Sequence, residues 1–216
     1  MKNIIIAGSS GMIGGLVLKN CLDRNDVQSI TLINRKPSGI ASEKIKEVIH
    51  QDFLNFEKIR DAFVNQDICF YCVGVYTGQV PDDTFNAITI DYTRAFSEAL
   101  KASSPGATFC FLSGQGADRT EQSRVLFAKA KGIAENQLIQ TNFPHLYIFR
   151  PGYIYPIEKR KEPNLLYKIF RIIYKPLSFI YPNVGVTSLQ LANKMVKVGF
   201  ENYNTNTLEN AAIRIS

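Results

Sequence analysis

Short apolar runs alternate along the chain with longer stretches in which apolar residues recur at helical spacing. The runs predict six buried strands, at 3–7, 29–34, 47–50, 67–74, 108–112 and 147–150. The periodic stretches predict helices at 12–22, 56–64, 85–102 and 123–141. Strands that alternate with helices indicate βαβ units, and strands that are apolar throughout indicate a parallel sheet covered on both faces. We therefore expect an α/β fold with a doubly wound parallel sheet.

The alternation of strands and helices ends near residue 152, after a Pro-Gly pair that closes the sixth predicted strand. A length of 216 residues suits one domain. We therefore expect a single domain over 1–216, in which residues 152–205 mostly form a small C-terminal lobe on the substrate side.

The composition is that of a folded globular protein, with 45% hydrophobic and 20% charged residues. No apolar run reaches the roughly 18 residues that would span a bilayer. Seven residues precede the first glycine, too few for a signal peptide, so we expect a cytoplasmic protein with free thiols. Cys69 and Cys72 are three apart in a predicted strand, where they would face opposite sides of the sheet. Since the chain also has only two histidines, no metal site is expected.

The chain carries a net charge of +6, which favours anionic ligands. No zinc-finger spacing or RNA-binding aromatic motif accompanies this charge, so nucleic-acid binding is not expected. In the segment 164–181, Lys168, Arg171 and Lys175 recur at helical spacing among apolar residues. This segment predicts a basic amphipathic helix that covers the substrate cleft, with peripheral contact to a membrane or a protein partner as the alternative.

The first predicted strand ends in a glycine-rich turn that opens the first helix. The turn consists of Gly8, Ser9, Ser10, Gly11, Met12, Ile13 and Gly14. Gly8 allows a tight turn, Gly11 lets the backbone approach a pyrophosphate, and Gly14 lets the helix pack close to the sheet. The free N–H groups and positive dipole end of the helix suit phosphates. Because the turn lies between a strand and a helix, it predicts a dinucleotide site, with a glycine turn that binds nothing as the alternative.

The residues after the second and third predicted strands bear on how the dinucleotide is recognised. An NAD site usually has Asp or Glu about 20 residues after the glycines, whereas this chain has Asn34, Arg35 and Lys36. The two cations would attract a 2′-phosphate, so we expect NADP rather than NAD; solvated loop cations are the alternative. Asp52 could reach the adenine amino group or cap the segment that begins at Phe53.

Five short motifs, taken in their order and spacing, resemble the short-chain dehydrogenase/reductase superfamily, and specifically its atypical members of the Tat-interacting-protein type. They are Gly8-x-x-Gly11-x-x-Gly14, Cys72-Val73-Gly74, Leu-Ser-Gly-Gln-Gly-Ala-Asp at 112–118, Lys131-Gly132-Ile133-Ala134-Glu135 and Phe149-Arg150-Pro151-Gly152. The resemblance runs over nearly the whole chain and implies a Rossmann-type domain that binds a nicotinamide dinucleotide. The cofactor contacts it implies are Val73 and Gly74 on the adenosine side, Lys131 at the nicotinamide ribose, and Pro151, Gly152 and Tyr153 beside the nicotinamide.

The chain departs from this family at the catalytic residues. The family's reductases use a Ser–Tyr–Lys set, in which Tyr is the general acid/base, Lys lowers its pKa and Ser orients the substrate carbonyl. Here Phe127 stands at the Tyr position, Ser113-Gly114 replaces a pair of serines, and Lys131 remains. Ser113 and Lys131 are therefore the expected catalytic residues, with a solvated helix lysine as the alternative for Lys131. The missing hydroxyl could come from Ser113, Tyr76, Tyr153 or Tyr155.

These features together predict an NADP-dependent oxidoreductase that acts on a small carbonyl or alcohol. The alternative is a non-catalytic NADP-binding regulatory or scaffold protein. Phe127 favours this alternative, because it has no proton to give.

Overall fold

The computed structural model describes residues 1–158, 174, 181–201 and 203–215. Its main sheet has seven parallel strands in the order β3-β2-β1-β4-β5-β6-β9. These strands are β1 (Lys2–Ala7), β2 (Val27–Asn34), β3 (Ile45–Ile49), β4 (Ile68–Tyr71), β5 (Thr108–Leu112), β6 (His145–Arg150) and β9 (Thr207–Glu209). Two short strands, β7 (Tyr153–Tyr155) and β8 (Gly185–Thr187), pair with each other outside this sheet. The predicted doubly wound Rossmann-type sheet is confirmed.

Helices cover both faces of the main sheet. They are α1 (Met12–Leu22), α2 (Asp82–Asn86), α3 (Tyr92–Ser103), α4 (Leu126–Thr141), α5 (Ser188–Phe200) and α6 (Asn210–Arg214), and a π-helical segment, Ala87–Asp91, joins α2 to α3. Successive residues of β1 point to opposite faces, so Ile4 and Ile6 pack with α1 and α5, and Ile5 packs with α3 and α4. Burial on both faces explains why the strands are apolar throughout. Each large side chain buried in this way stabilises the fold by about 1.5–3 kcal/mol.

Several predicted elements differ from the structure in type or in their bounds. The helix predicted over 56–64 is a 3₁₀ segment at Glu57–Phe63, broken by the non-helical backbone of Ile59. The rings of Phe56 and Phe63 lie 5.4 and 5.0 Å from the ring of Phe96, so aromatic packing dominates in this segment over regular helical hydrogen bonding.

The strand predicted over 67–74 is shorter, because β4 ends at Tyr71. The Cys72 N–H still donates to the Ala7 carbonyl at 2.9 Å, after which the chain leaves the sheet. The helices predicted over 85–102 and 123–141 begin instead at Asp82 and Leu126.

The C-terminal part of the chain contributes to the main domain. Helix α5 lies within 152–205, where a substrate-side lobe is expected, yet it packs on the same face of the sheet as α1. Asn20 Nδ2 donates to Asn193 Oδ1 at 2.7 Å between these two helices. The start of α5 is set by a capping box, in which Thr187 and Gln190 bond each other's backbone N–H groups.

The basic helix predicted over 164–181 lies outside the described residues except at Tyr174 and Tyr181, so its role as a cleft cover or membrane contact stays a prediction. The ring of Tyr174 stacks on that of Tyr155 with centroids 4.8 Å apart. Within the described part of the chain, no helix has the length and apolar character needed to cross a bilayer.

Candidate functional site

The glycine turn brings the start of α1 very close to the sheet. Gly8 has a φ of +85°, and a Cβ there would lie 2.9 Å from the Cys72 carbonyl group. A Cβ on Gly14 would lie 2.1 Å from the Gly8 carbonyl oxygen, so only glycine permits this approach. Gly11 is the N-cap residue of α1, and none of the described side chains caps the helix there. The first N–H groups of α1 are therefore available to an anion.

A cavity of about 360 Å³ opens beside this turn, where β1, β4, β5 and β6 end. Its walls are Gly11, Met12, Ile13, residues 72–77, Leu112, Ser113, Gly114, Phe127, Lys131, Pro151, Gly152, Tyr153 and Ile154. Many of the predicted site residues thus meet here, since the carboxyl ends of parallel strands share one edge of a sheet. The volume is in the range of small-molecule sites.

The predicted cofactor residue Asn34 lies beside the cavity and not on its wall. It is buried, and its Oδ1 accepts a hydrogen bond from Ser9 Oγ at 2.9 Å. Its Nδ2 donates to Glu47 Oε1 at 2.8 Å. Asn34 therefore joins the glycine turn to β3. Ser10, at the exposed tip of the turn, borders a separate depression next to Lys19.

Glu47 is a charged residue near the site that the sequence patterns did not indicate. Burial raises its pKa, but hydrogen bonds from the Asn34 side chain and from Ser38 outweigh burial and hold the pKa below its ordinary value. The ionised carboxylate of Glu47 is therefore hydrogen-bonded to Asn34 at the end of β2. Only the pairing of β2 with β3 brings Glu47 to Asn34, 13 residues away along the chain.

Arg35 and Lys36 are exposed and follow β2 directly. Because β2 is the neighbour of β1 in the sheet, these cations lie on the same edge as the glycine turn. Asp52 is also exposed, and its Oδ1 accepts the Leu54 N–H at 3.0 Å. Asp52 thus closes a turn and does not begin a helix.

Ser113 lies in the cavity wall, but its hydroxyl is bonded to the protein. Its Oγ donates to Glu135 Oε1 at 2.6 Å. The Glu135 side chain is fully buried and also accepts hydrogen bonds from Arg119, at 2.7 Å, and from Arg150. Burial raises the pKa of Glu135, but the bonds from Arg150 and Ser113 and the charges of both arginines outweigh burial and keep the pKa below its ordinary value.

This Glu135 cluster joins several elements at the edge of the sheet. Arg150 ends β6 and also pairs with Glu209 of β9 at 3.0 Å. Arg119 also donates to Thr207 Oγ1 at 2.9 Å. In the sequence, Glu135 and Arg150 stand out only as parts of short motifs. A charge at a helix position that otherwise faces the core is the signal that could have found Glu135.

Phe127 packs against Gly114 in the wall of the cavity. A Cβ on Gly114 would lie 2.4 Å from Phe127 Cζ, the tip of the ring. The two departures from the family's catalytic set are therefore complementary, since the ring of Phe127 needs the space that a serine at 114 would occupy. The pair gives the cavity an apolar surface where the family resemblance would lead us to expect two hydroxyls.

Lys131 is buried and does not behave as a solvated helix lysine. Only 7% of it is exposed, its Nζ donates to the Leu112 carbonyl at 3.0 Å, and the amine lies 4.9 Å from the centre of the Phe111 ring. Burial lowers the pKa of Lys131 to about 8, although the nearby Glu135 charge opposes this change. The amine can therefore gain or lose a proton near neutral pH.

Two of the three tyrosines that could supply the missing hydroxyl line the cavity. Tyr76 and Tyr153 line it, whereas Tyr155 lies outside the wall and stacks on Tyr174.

The thiols near the site are protonated side chains of the core. Burial raises the pKa of Cys72, in the cavity wall, to about 12. Cys69 and Cys72 pack in the clusters on opposite faces of the sheet, as the strand spacing predicts. Among the described residues, no three His, Cys, Asp or Glu side chains meet as a metal site would require.

Comparison with known proteins identifies the family of this chain. The model of the NAD(P)H-binding family matches residues 8–166, which is most of the chain. The chain belongs to the NAD(P)H-binding family. The protein HTATIP2 of Rattus norvegicus is 31% identical over 166 residues, which cover 76% of this chain and 67% of that protein. The resemblance to the Tat-interacting-protein type is therefore confirmed.

Other relatives of this NAD(P)H-binding chain extend the match over more of its length. The protein FMP52, mitochondrial, of Debaryomyces hansenii is 29% identical over 201 residues, 91% of this chain and 87% of that protein. The Bordetella bronchiseptica enzyme WbmH, solved in complex with NAD+, has a TM-score of 0.71 and covers 97% of this chain and 75% of its own, at 14% identity. A short chain dehydrogenase family protein of Francisella tularensis has a TM-score of 0.66 and covers 98% of both chains, also at 14% identity. At such identities the two structures show a shared fold.

Proposed function

We propose that this NAD(P)H-binding protein is an NADP-dependent oxidoreductase of the atypical short-chain dehydrogenase/reductase type, acting on a small carbonyl or alcohol. The observation that carries the proposal is the buried amine of Lys131 in the wall of a cavity that begins at the glycine turn. A titratable group with a shifted pKa in such a cavity is typical of a proton-transfer site.

The residues around the cavity suit a nicotinamide dinucleotide. The uncapped N-terminus of α1 offers N–H groups to the diphosphate, and the exposed backbone of Gly11 can be approached closely. When bound, the dinucleotide supplies or accepts the hydride. Phe127 and Gly114 then form an apolar wall that limits the access of water to the reacting atoms.

Lys131 holds the proton that the reaction requires. At pH 7 an amine with a pKa of about 8 is mostly protonated, so Nζ can donate to a carbonyl oxygen during reduction. The neutral amine can accept the proton of an alcohol in the opposite direction. The bond to the Leu112 carbonyl uses one of the three N–H groups, which leaves two for the substrate and the ribose.

The charges after β2 support NADP over NAD. Arg35 and Lys36 are exposed on the same edge of the sheet as the glycine turn, where a 2′-phosphate would meet two cations. The carboxylate of Glu47 is held by Asn34 and Ser38 and not by either cation.

NADPH oxidation with a panel of aldehydes, ketones and quinones tests the enzymatic proposal. We expect Lys131→Met to lower the rate about a hundredfold, because general acid catalysis contributes roughly that much or more. In the wild type, carbonyl reduction should fall above pH 8 and alcohol oxidation should rise toward pH 8, since Lys131 loses its proton there. Lys129→Met, which removes an exposed lysine from the same helix, is the control. Equal rates in wild type and Lys131→Met would exclude this role of Lys131.

Two observations favour the second candidate function, a non-catalytic NADP-binding regulator or scaffold. Phe127 has no hydroxyl that could donate a proton, and the hydroxyl proton of Ser113 lies in its bond to Glu135. A wild-type protein that binds NADPH tightly but turns over no compound of the panel would support this alternative.

We also propose a cytoplasmic location, as the sequence predicts. Fungal relatives carry the word mitochondrial in their names, so the compartment needs its own test. Fractionation of cells that express the full chain would decide between the two compartments.

A further inference from the structure

Glu135 determines the direction of the hydrogen bond at Ser113. Its carboxylate is fully buried and contacts the guanidinium groups of Arg119 and Arg150. A carboxylate between two such cations stays ionised, and an ionised carboxylate can only accept hydrogen bonds. The proton of Ser113 Oγ therefore lies in the 2.6 Å bond to Glu135, and the oxygen has only lone pairs for a further contact.

None of the described hydrogen bonds of the cations near Ser113 is made to its hydroxyl. Lys131 Nζ donates to the Leu112 carbonyl, Arg119 Nη2 donates to Thr207 Oγ1, and Arg150 Nη1 pairs with Glu209. Ser113 itself remains part of the cavity wall, together with Phe127, Lys131 and Gly152.

We propose that Ser113 recognises a hydrogen-bond donor, an O–H or N–H group, on the ligand in the cavity, and that Glu135 is the positioning residue that imposes this preference. The inference rests on the proposed binding of a dinucleotide and a small substrate in this cavity. A carbonyl oxygen has no proton to offer and would meet the lone pairs of Ser113. The group that fits is the hydroxyl of a substrate or the carboxamide N–H of a nicotinamide.

This arrangement reverses the role that the family resemblance implies for the serine. A serine that orients a substrate carbonyl must donate its own proton to that carbonyl. Here the proton is already used inside the protein, so Ser113 contributes to ligand selection and not to carbonyl activation. Proton transfer is left to Lys131.

Two binding comparisons identify the source of the donor. The first compares NADP+ with its 3-acetylpyridine analogue, in which an acetyl group keeps the carbonyl but lacks the N–H of the carboxamide. The second compares cyclohexanol with cyclohexanone on the NADP+ complex by ligand-observed NMR. In one of the two comparisons we expect the ligand that carries the donor, NADP+ or cyclohexanol, to bind roughly three- to tenfold more tightly than its counterpart. This difference is the effect of one hydrogen bond.

Ser113→Ala should abolish this preference, whichever comparison shows it. Ser29→Ala is the control, because the Ser29 hydroxyl donates to Asn3 and does not line the cavity. In Glu135→Gln the amide nitrogen can donate to Ser113, which frees the serine proton for the ligand. The preference should then shift toward the analogue or the ketone, an effect that a purely structural role of Glu135 would not produce.

Glu135→Gln leaves the partly buried Arg119 and Arg150 without their main counter-charge and can fail to fold. In that case the comparison of wild type with Ser113→Ala decides alone. The inference would be overturned if all four ligands bind and their relative affinities are the same in wild type and in Ser113→Ala. The proposed function would still stand in that case. A wild-type protein that binds no dinucleotide at all would overturn both.

Discussion

The surroundings of Lys131 favour a functional residue over a solvated helix lysine. It lies four positions before Glu135 on α4, yet its amine bonds a backbone carbonyl and faces an aromatic ring, so its charge is poorly solvated. A buried amine is costly to keep charged, and in the wall of this cavity its proton would serve the proposed reaction.

Burial of Lys131 should appear in the pH dependence of stability. Its pKa is about 8 in the folded protein and 10.5 in the unfolded chain, so the folded form holds fewer protons between these values. The contribution of this residue to the free energy of unfolding should therefore rise with pH over that window, by about 3 kcal/mol in total. Urea denaturation of wild type and Lys131→Met from pH 7 to 10.5 measures the difference. If the difference in unfolding free energy between the two proteins does not change with pH, the amine of Lys131 is solvated.

Arg35 should determine the choice between the two nicotinamide dinucleotides. Arg35→Ala is expected to weaken NADPH binding by about 1–3 kcal/mol, the value of a charge-assisted contact, and to leave NADH binding unchanged. Calorimetry on both cofactors measures this, with the exposed Lys58→Ala as a control of equal charge. Equal wild-type affinities for NADPH and NADH would refute the assignment of NADP.

At the scale of elements, α4 carries three features of the site on one face. Phe127, Lys131 and Glu135 are spaced four residues apart, so their side chains lie one above another along the helix. Phe127 and Lys131 line the cavity, and Glu135 accepts the hydrogen bond of Ser113. The end of this helix is defined by Asn142, which adopts the left-handed conformation that commonly closes helices.

A hydroxyl at position 127 should reveal whether the missing proton donor limits the reaction. Phe127→Tyr adds an oxygen at the ring tip that packs against Gly114, one helical turn before Lys131. We expect reduction of simple aldehydes or quinones to rise tenfold or more, since general acid catalysis is worth about a hundredfold to ten-thousandfold. Phe127→Leu, which adds no hydroxyl, should bring no increase. A comparable gain in both variants would mean that space in the cavity, and not a proton, limits the rate.

At the scale of the whole molecule, the parallel sheet gathers the site from distant parts of the chain. Ala7 is opposite Tyr71, Tyr71 is opposite Phe111, and Leu112 is opposite Phe149, so the loops after these strands emerge side by side. The Glu135 cluster then connects this edge to β9 through Arg150. The last strand of the chain thus helps to hold the side chains that orient Ser113.

The sequence by itself determined the α/β class, the glycine turn and several of the residues that meet in the cavity. These features depend on local patterns: apolar runs for strands, periodic apolar residues for helices, and glycines where Gly8 and Gly14 leave no room for a Cβ. The residues 73–74, 113, 131 and 151–153 could be anticipated because each lies in a short motif next to a strand or on a helix.

Only the tertiary structure decided what several of these residues contact. In the folded protein Asn34 is hydrogen-bonded to Ser9 and Glu47, and Ser113 donates its proton to Glu135. The segment that contains Phe56 and Phe63 packs without forming a regular helix. Ser113 and Glu135 are 22 residues apart, and Arg150 and Glu209 are 59 apart. Such contacts depend on strand order and helix packing, which bring distant side chains together without leaving a periodic pattern in the sequence.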